Sequence, residues 1–423
     1  MTANRKLVIG VFGFGVVGEG LYKVLQQTRS LNAVIKKVCI KNPDKKRIAP
    51  QELFTTDKNE ILNDEEINVI VEVIDDSEAA FDIVTTSMIN GKATVSASKK
   101  MIAEHLSELL SLQQIHNVPF LYEAAACASI PVIRNLEEYY DNDLLQSFSG
   151  IVNGSTNYIL TKIFDEGLSF SKALLDAQQL GFAESNPELD ISGKDAVNKL
   201  AVLLVHAYGI IINPSELLHT GIKNIDAFDA KAAIAKGYRI KLIAKAVKLK
   251  NGKVTAFVLP HFVDAGSQLY NVHNEYNGMV IESSFSDEQF FYGKGAGSLP
   301  TGSAVLSDIS ALRYHYQYEY KKLRFHTPSQ LTNECYLKVY IGFDDLQLIH
   351  TGEFESIEEL SNDPGRNYLI GVIHLKKLIK NNWWKEKGVS LIVLPGDISE
   401  NINHVKGSIV NKQIFMEGTI ATE

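Results

Sequence analysis

An apolar run, KLVIGVF over residues 6–12, gives way at once to Gly13-Phe14-Gly15-Val16-Val17-Gly18, and apolar residues then recur at helical spacing to about Gln27. On its own GxGxxG is a weak pattern, but between a strand and a helix it has a mechanical meaning. The first glycine makes the turn, the second lets a pyrophosphate approach the backbone, and the third allows the helix to pack on the strand. The helix N-terminus favours the phosphate charge. The bland alternative is a glycine-rich turn with no ligand. We read residues 6–27 as the opening strand, loop and helix of a dinucleotide site.

The second strand spans about residues 35–40. An NAD-selective site usually has an acid at its end. Here the chain continues Lys41-Asn42-Pro43-Asp44-Lys45-Lys46-Arg47, and these basic residues suit a 2′-phosphate, so NADP is at least tolerated. A solvated basic loop explains each of them equally well, Lys41 excepted. Further strands at about 67–74, 93–95 and 119–122 end in Asp75-Asp76-Ser77, in Ser96-Ala97-Ser98-Lys99-Lys100 and in Glu123. Strands alternating with helices predict an α/β doubly wound parallel sheet. Such sheets bind ligands beyond the carboxyl ends of their strands, where these polar clusters fall. Residues 1–130 therefore read as one cofactor domain.

Past Pro131 the pattern changes. A helix at 132–140 and a strand at 148–152 lead to Asn153-Gly154-Ser155-Thr156-Asn157, more small polar residues than a helix cap needs, and then a helix at 158–165. Gly181 reads as a helix stop. Three carboxylates follow, Glu184, Glu188 and Asp190. Ser192 with Asp195 three residues on has the form of a capping box. The helix from Asp195 is apolar almost all round, which predicts burial, and Asp195 and Lys199 at i and i+4 share one of its faces. A solvated ion pair is the plain reading. Charges on so apolar a helix point instead to function: a lysine held by an aspartate as a proton-transfer group, with Glu184 and Asp190 receiving a cationic substrate.

A helix at 227–236 and strands at 240–247, 254–258 and 277–282 predict a second, mixed sheet of α+β type that could pair across a dimer. Strand 290–292 precedes Gly293-Lys294-Gly295-Ala296-Gly297, and Pro300-Thr301-Gly302 leads into a helix at 303–314. This second glycine loop either closes over a cofactor from the far side or is a flexible connection. Residues 330–423 read as a separate, small α/β region, with strands at 335–343 and 389–394, a helix at 375–385, and Trp383-Trp384 as a core anchor in preference to an interface patch.

Its 423 residues suffice for two or three domains. A net charge of −8 argues against a nucleic-acid or acidic-membrane surface. No apolar run approaches ~18 residues, so no helical span is expected. The first residues do not read as a signal peptide. Three cysteines without CxxC spacing argue against a disulfide framework or zinc site. A cytoplasmic location is the expectation.

Across residues 7–316 the chain resembles the homoserine dehydrogenase family. The resemblance is carried by GFGVVG at 13–18, GKATVSASK at 91–99, YEAA at 122–125, NGSTNYIL at 153–160, LDISGKDAVNKL at 189–200 and YGKGAGSLPTGSAVLSDI at 292–309. No aspartate-kinase segment precedes the glycine loop, so a monofunctional form is implied. The implied reaction is NAD(P)-dependent interconversion of L-homoserine and L-aspartate 4-semialdehyde, in threonine, methionine and isoleucine biosynthesis. The implied architecture is a Rossmann-type domain (1–130, with a returning helix at 300–318), a catalytic and dimerisation domain (131–299) and a C-terminal region (330–423) placed where many relatives carry a small regulatory domain. By position, Lys199 is the acid/base on the substrate oxygen and Asp195 holds it. Asp190 and Glu184 take the amino end, and Lys99 lies near nicotinamide and substrate. Loop and resemblance together give a cofactor set of Phe12, Gly13, Gly15, Val16, Val17, Gly18, Lys41, Ser98, Lys99 and Gly302. The family's monovalent cation site (sodium or potassium) falls on Glu123, Ala126, Ala128 and Ile130. A homodimer or higher homo-oligomer is implied.

In reduction, hydride reaches the aldehyde carbon while Lys199 donates a proton to the developing alkoxide. A free lysine titrates near ~10.4; burial lowers this and an adjacent anion raises it, so the sequence predicts an ammonium donor. The family pattern is altered in four places: Asp75-Asp76 for a glycine pair, Cys127-Ala128-Ser129 for a glycine-rich run, Ser98 for asparagine, and Lys294 within the later glycine loop. Two other functions fit parts of the sequence: a semialdehyde dehydrogenase with Cys127 as nucleophile, which needs a partner that lowers the thiol's pKa, and a non-catalytic dinucleotide sensor, which would not need Lys199 or Asp195.

Overall fold

The first β-strand, β1 (Leu7–Phe12), is flanked on both sides by parallel neighbours, and this fixes the architecture of the N-terminal third. The structure is a computed structural model that describes residues 6–363 and 366–405. With β2 (Ala33–Cys39), β3 (Phe54–Thr55), β4 (Val69–Glu72), β5 (Ala93–Ser96) and β6 (Phe120–Leu121), β1 forms an all-parallel sheet of order 3-2-1-4-5-6. Ile9, Val11, Val69, Val71 and Val95 are all buried, as expected for a sheet covered on both faces. Strand order reverses between β1 and β4, so the crevice for a ligand opens there, beyond Phe12 and Glu72.

The helix Ser298–Leu312 returns from far along the chain to pack on the first helix, Val16–Gln27. A Cβ added to Gly20 would fall 1.8 Å from the Ser298 carbonyl oxygen, and one added to Gly302 would fall 2.5 Å from the Gly20 carbonyl carbon. The two helices thus touch backbone to backbone. Pro300-Thr301-Gly302 lies inside the returning helix instead of leading into it, a correction to the expected start at 303. Proline is tolerated there because first-turn N–H groups have no partner within a helix.

The second sheet is mixed. It contains β7 (Leu145–Ile151), β8 (Leu218–His219), β9 (Tyr238–Lys248), β10 (Val254–Asp264), β11 (Tyr276–Ser283), β12 (Asp287–Lys294), β13 (Tyr336–Phe343), β14 (Phe354–Asp363), β15 (Arg366–His374) and β16 (Val389–Val393). The order is 12-11-7-9-10-16-13-15-14, with β8 beside β10. The helix Lys194–Tyr208 packs against β9 and β10, and every residue from Lys199 to Tyr208 is buried.

The C-terminal strands are therefore not detached, as the sequence alone suggests. β16 joins β10 in parallel through the pair His261↔Val393, and Phe257 and Leu259 of β10 share an apolar core with Leu337, Val339, Trp383 and Trp384. Both tryptophans are core, as expected. The hairpin of β14 and β15 is absent from the sequence reading because two register shifts, at Phe354/Ser356 and Ile357/Glu359, break the alternation that marks a strand. Two expected helices are shorter. Val132–Arg134 passes into a wider π-type turn over Asn135–Tyr139, and Leu375–Lys380 ends before a 3-10 turn at Trp383–Lys385.

Candidate active site

Three segments distant in sequence converge on one carboxylate. Asp195 enters from the first turn of the helix Lys194–Tyr208 and is 4% exposed. The Lys199 ammonium, one turn on, lies 2.8 Å from its Oδ2 and donates to the Val152 carbonyl at 2.6 Å. The Lys99 ammonium approaches from the first residue of the helix Lys99–His116, beyond the carboxyl end of β5, and lies 2.9 Å from Oδ1. Asn153, beyond the end of β7, accepts from the Thr156 amide with its side-chain oxygen and so caps the helix Gly154–Glu166. Its side-chain nitrogen donates to Asp190 Oδ1 at 2.7 Å and to Asp195 Oδ2 at 2.8 Å.

This arrangement fixes charge. Burial alone would push the Asp195 carboxyl up, but the Lys199 and Lys99 ammonium groups, with the Asn153 amide, hold it well below the usual carboxylate range. The Asp195 charge in turn raises Lys99 above the ordinary lysine value; burial opposes this, and Asp190 and Glu184 add to it. Asp195 is thus an anion between two lysines, one enclosed and one half-exposed.

The expected capping box is corrected. Gly193, with φ +82°, is the N-cap and no side chain caps this helix; Ser192 Oγ is buried without a partner among the described residues. Asp195 does not reach back to the cap because its oxygens are held by lysines and Asn153. Of the three upstream carboxylates, Glu188 is bound to the exposed Lys223 at 2.5 Å. Asp190 is half-buried beside Asn153, and Glu184 stands exposed, with no ion pair among the described residues. One residue of this cluster to which the sequence reading gave no role is Asn153. Its signal was the run of five small polar residues, longer than capping requires.

The glycine loop has the form a dinucleotide needs. Gly13 takes φ +98°, and a Cβ there would meet the Val73 carbonyl oxygen at 2.7 Å. A Cβ on Gly15 would meet nothing within 4 Å, so the protein itself does not require glycine there, whereas a pyrophosphate lying against the backbone does. The helix Val16–Gln27 has no side-chain N-cap, and Val16 is exposed, which leaves its first N–H groups for an anion. Phe12 is buried, Val17 half-buried, and Ser98 is the N-cap of the helix carrying Lys99. Lys41 is exposed just past β2. Arg47 instead folds onto the loop, donating to the carbonyls of Lys45 and Asn42 over the Phe54 ring. Gly302 is buried against Gly20, so helix packing accounts for its glycine. Of the two acids that replace a glycine pair, Asp76 caps the helix Ser77–Ile89 and Asp75 is exposed.

Glu72, at the end of β4, was also missed. It is fully buried, accepts from Ser96 Oγ at 2.5 Å and from the Ile74 amide at 2.7 Å, and is pushed up to about 7 by burial. The Glu123 carboxylate accepts from the amides of Ile133 and Arg134, at 2.9 and 2.8 Å, and is pushed up to about 8, first by burial and then by Asp308. Ala128 has φ +45° and ψ −103°, a conformation few L residues adopt. Cys127 is fully buried, and burial pushes its thiol up to about 12. That removes the thiolate which the cysteine-nucleophile alternative requires.

Comparison with known proteins agrees in both halves of the chain. The family described as "Homoserine dehydrogenase, NAD binding domain" matches residues 13–123, and "Homoserine dehydrogenase" matches residues 131–310. The chain is 31% identical over 383 residues to the homoserine dehydrogenase of Bacillus subtilis, covering 86% of this chain and 87% of that protein. To the Helicobacter pylori homoserine dehydrogenase it is 37% identical over 313 residues, covering 72% and 73%. A crystal structure of a homoserine dehydrogenase from Thiobacillus denitrificans superposes with a TM-score of 0.80 at 27% identity, covering 94% of this chain and 99% of that one.

Proposed function

The chain belongs to the homoserine dehydrogenase family, NAD(P)-dependent oxidoreductases acting on a CH–OH group, and from that premise we propose how its residues divide the reaction. The bound nicotinamide supplies or accepts the hydride. Lys199 gives a proton to the oxygen of L-aspartate 4-semialdehyde in reduction and takes it back in oxidation. Asp195 fixes the direction of that ammonium and, through its other oxygen, the position of Lys99, which lies within reach of the same substrate oxygen. Asp190 and Glu184 receive the ammonium end of homoserine at the rim. Asn153 ties Asp190 to Asp195 and so sets the distance between the amino-binding end and the proton-transfer end. The observation that carries this reading is the single buried carboxylate between two ammonium groups, 2.9 and 2.8 Å away.

The pyrophosphate lies on Gly13–Gly18 and the N-terminus of the helix that follows. Lys41 meets the 2′-phosphate of NADP, and the chain leaving β2, Ile40-Lys41-Asn42-Pro43, carries no acid before Asp44. A monovalent cation fits the turn from Glu123 to Ile130. The strained Ala128 turns its carbonyl out of the helical direction, and oxygen donors suit a hard cation. The Glu123 carboxylate serves this turn by clamping the two amides beyond it. A homo-oligomer and a cytoplasmic location complete the reading.

The test is a rate assay with L-homoserine and NAD⁺ or NADP⁺, following absorbance of the reduced nicotinamide with sodium, potassium or neither. Turnover, faster with NADP⁺ and dependent on the cation, is expected. A folded protein that binds dinucleotide yet turns over neither cofactor under any salt would refute the assignment of Lys199 and Asp195.

A further inference from the structure

Asn277, near the start of β11, is fully buried, and among the described residues neither its side-chain nitrogen nor its oxygen has a hydrogen-bond partner. A buried carboxamide left so is costly and uncommon. Its neighbour Gly278 pairs with Ile151 of β7 and Tyr292 of β12, and a Cβ on Gly278 would meet Val272, Phe290 and Leu269. Side chains alternate along a strand, so Asn277 projects from the opposite face. That face carries Met279, Ile281 and Ala244 into the core shared with the helix Lys194–Tyr208. One step beyond Gly278↔Ile151, the register sets Asn277 opposite Val152, about 5 Å away between α-carbons. The Val152 carbonyl is the one that accepts from Lys199. On its other side Asn277 faces the second glycine loop: a Cβ on Gly295 would fall 2.2 Å from its carboxamide oxygen.

Resting on the function proposed above, we propose that Asn277 orients the nicotinamide ring by pairing its carboxamide with the ring's own, each donating one N–H and accepting one. Hydride must reach the carbon whose oxygen Lys199 serves, so the ring stands beside that lysine, one strand away from Asn277. The ring's carboxamide offers a donor and an acceptor together and satisfies both free atoms. The charged ends of homoserine offer only donors or only acceptors and would leave one atom unpaired. Gly295 is then required because any side chain there would displace the Asn277 amide.

Calorimetric titration of the full chain with NADPH, and with the reduced 3-acetylpyridine analogue, whose acetyl group has no N–H, measures binding without turnover. Asn277→Leu keeps the approximate size and removes both polar atoms. We expect it to weaken NADPH about 10-fold, the worth of two ordinary hydrogen bonds, to weaken the analogue clearly less, and not to lower the melting temperature. Gly295→Ala should act in the same direction, and it carries the test should Asn277→Leu not fold. Unchanged NADPH affinity in the folded variants overturns the proposal, as does an equal loss for both nucleotides. Failure of the wild-type chain to bind NADPH would overturn the reading of the glycine loop as well, and so is distinguishable.

Discussion

Asp195 accepts from Asn153 and contacts two ammonium groups while almost wholly out of solvent. Removing one partner of such a cluster leaves the others buried and uncompensated, so single substitutions act through charge as well as through chemistry. Lys199→Ala should lower kcat by at least ~10²-fold, the lower range for a positioned proton donor, with the dinucleotide dissociation constant unchanged. A kcat within a few-fold of wild type, with an unaltered circular dichroism spectrum, would remove Lys199 from the mechanism. Lys41 acts on affinity alone. Lys41→Ala should weaken NADP⁺ about 10-fold, the scale of one charge-assisted hydrogen bond, and leave NAD⁺ within two-fold. Equal losses for the two would show that Lys41 does not read the 2′-phosphate.

Among the elements, the strands and helices that carry the site are those whose periodicity is least disturbed. The glycine loop, the Asp195–Lys199 spacing on an apolar helix and the polar ends of parallel strands are local patterns, and each survives into the structure. What the sequence hides is convergence. Nothing local to Lys99 or Asn153 says that each will meet Asp195, because those contacts join positions 96 and 42 residues apart. Glu72 was hidden for another reason: a carboxylate in an apolar strand looks the same whether it faces solvent or is buried. Its burial has a pH consequence. The folded group titrates near 7, whereas an unfolded glutamate titrates near ~4.3. Between those values the native chain holds a proton that the unfolded chain has lost, so this group makes stability fall as pH rises through that window. Glu72→Gln should flatten the decline in urea-unfolding free energy from about pH 5 to 7. An unchanged slope would show that Glu72 is ionised in the native protein throughout.

For the whole molecule, the single ladder pair between β10 and β16 understates how firmly the C-terminal strands are held, because Phe257 and Leu259 depend on them for burial. A chain ending at residue 330 should melt at a lower temperature and bind a hydrophobic dye that the full chain does not. An undiminished melting temperature would mean that the two parts fold independently. The contact between Gly20 and Gly302 ties the other end of the molecule together. Gly302→Val should destabilise the protein by about 1–3 kcal/mol, as overpacking does, and should weaken dinucleotide binding in parallel by shifting the helix that carries the loop. That contact also bears on synthesis. The helix Ser298–Leu312 that covers Gly20 is translated some 280 residues after it, and the whole second domain is begun in between. At ribosomal speeds of about 5–20 residues per second, the nucleotide-binding third, complete in its strands by residue 121, waits roughly ten to forty seconds for the helix that covers it. During that interval its exposed flank is a natural client for a chaperone.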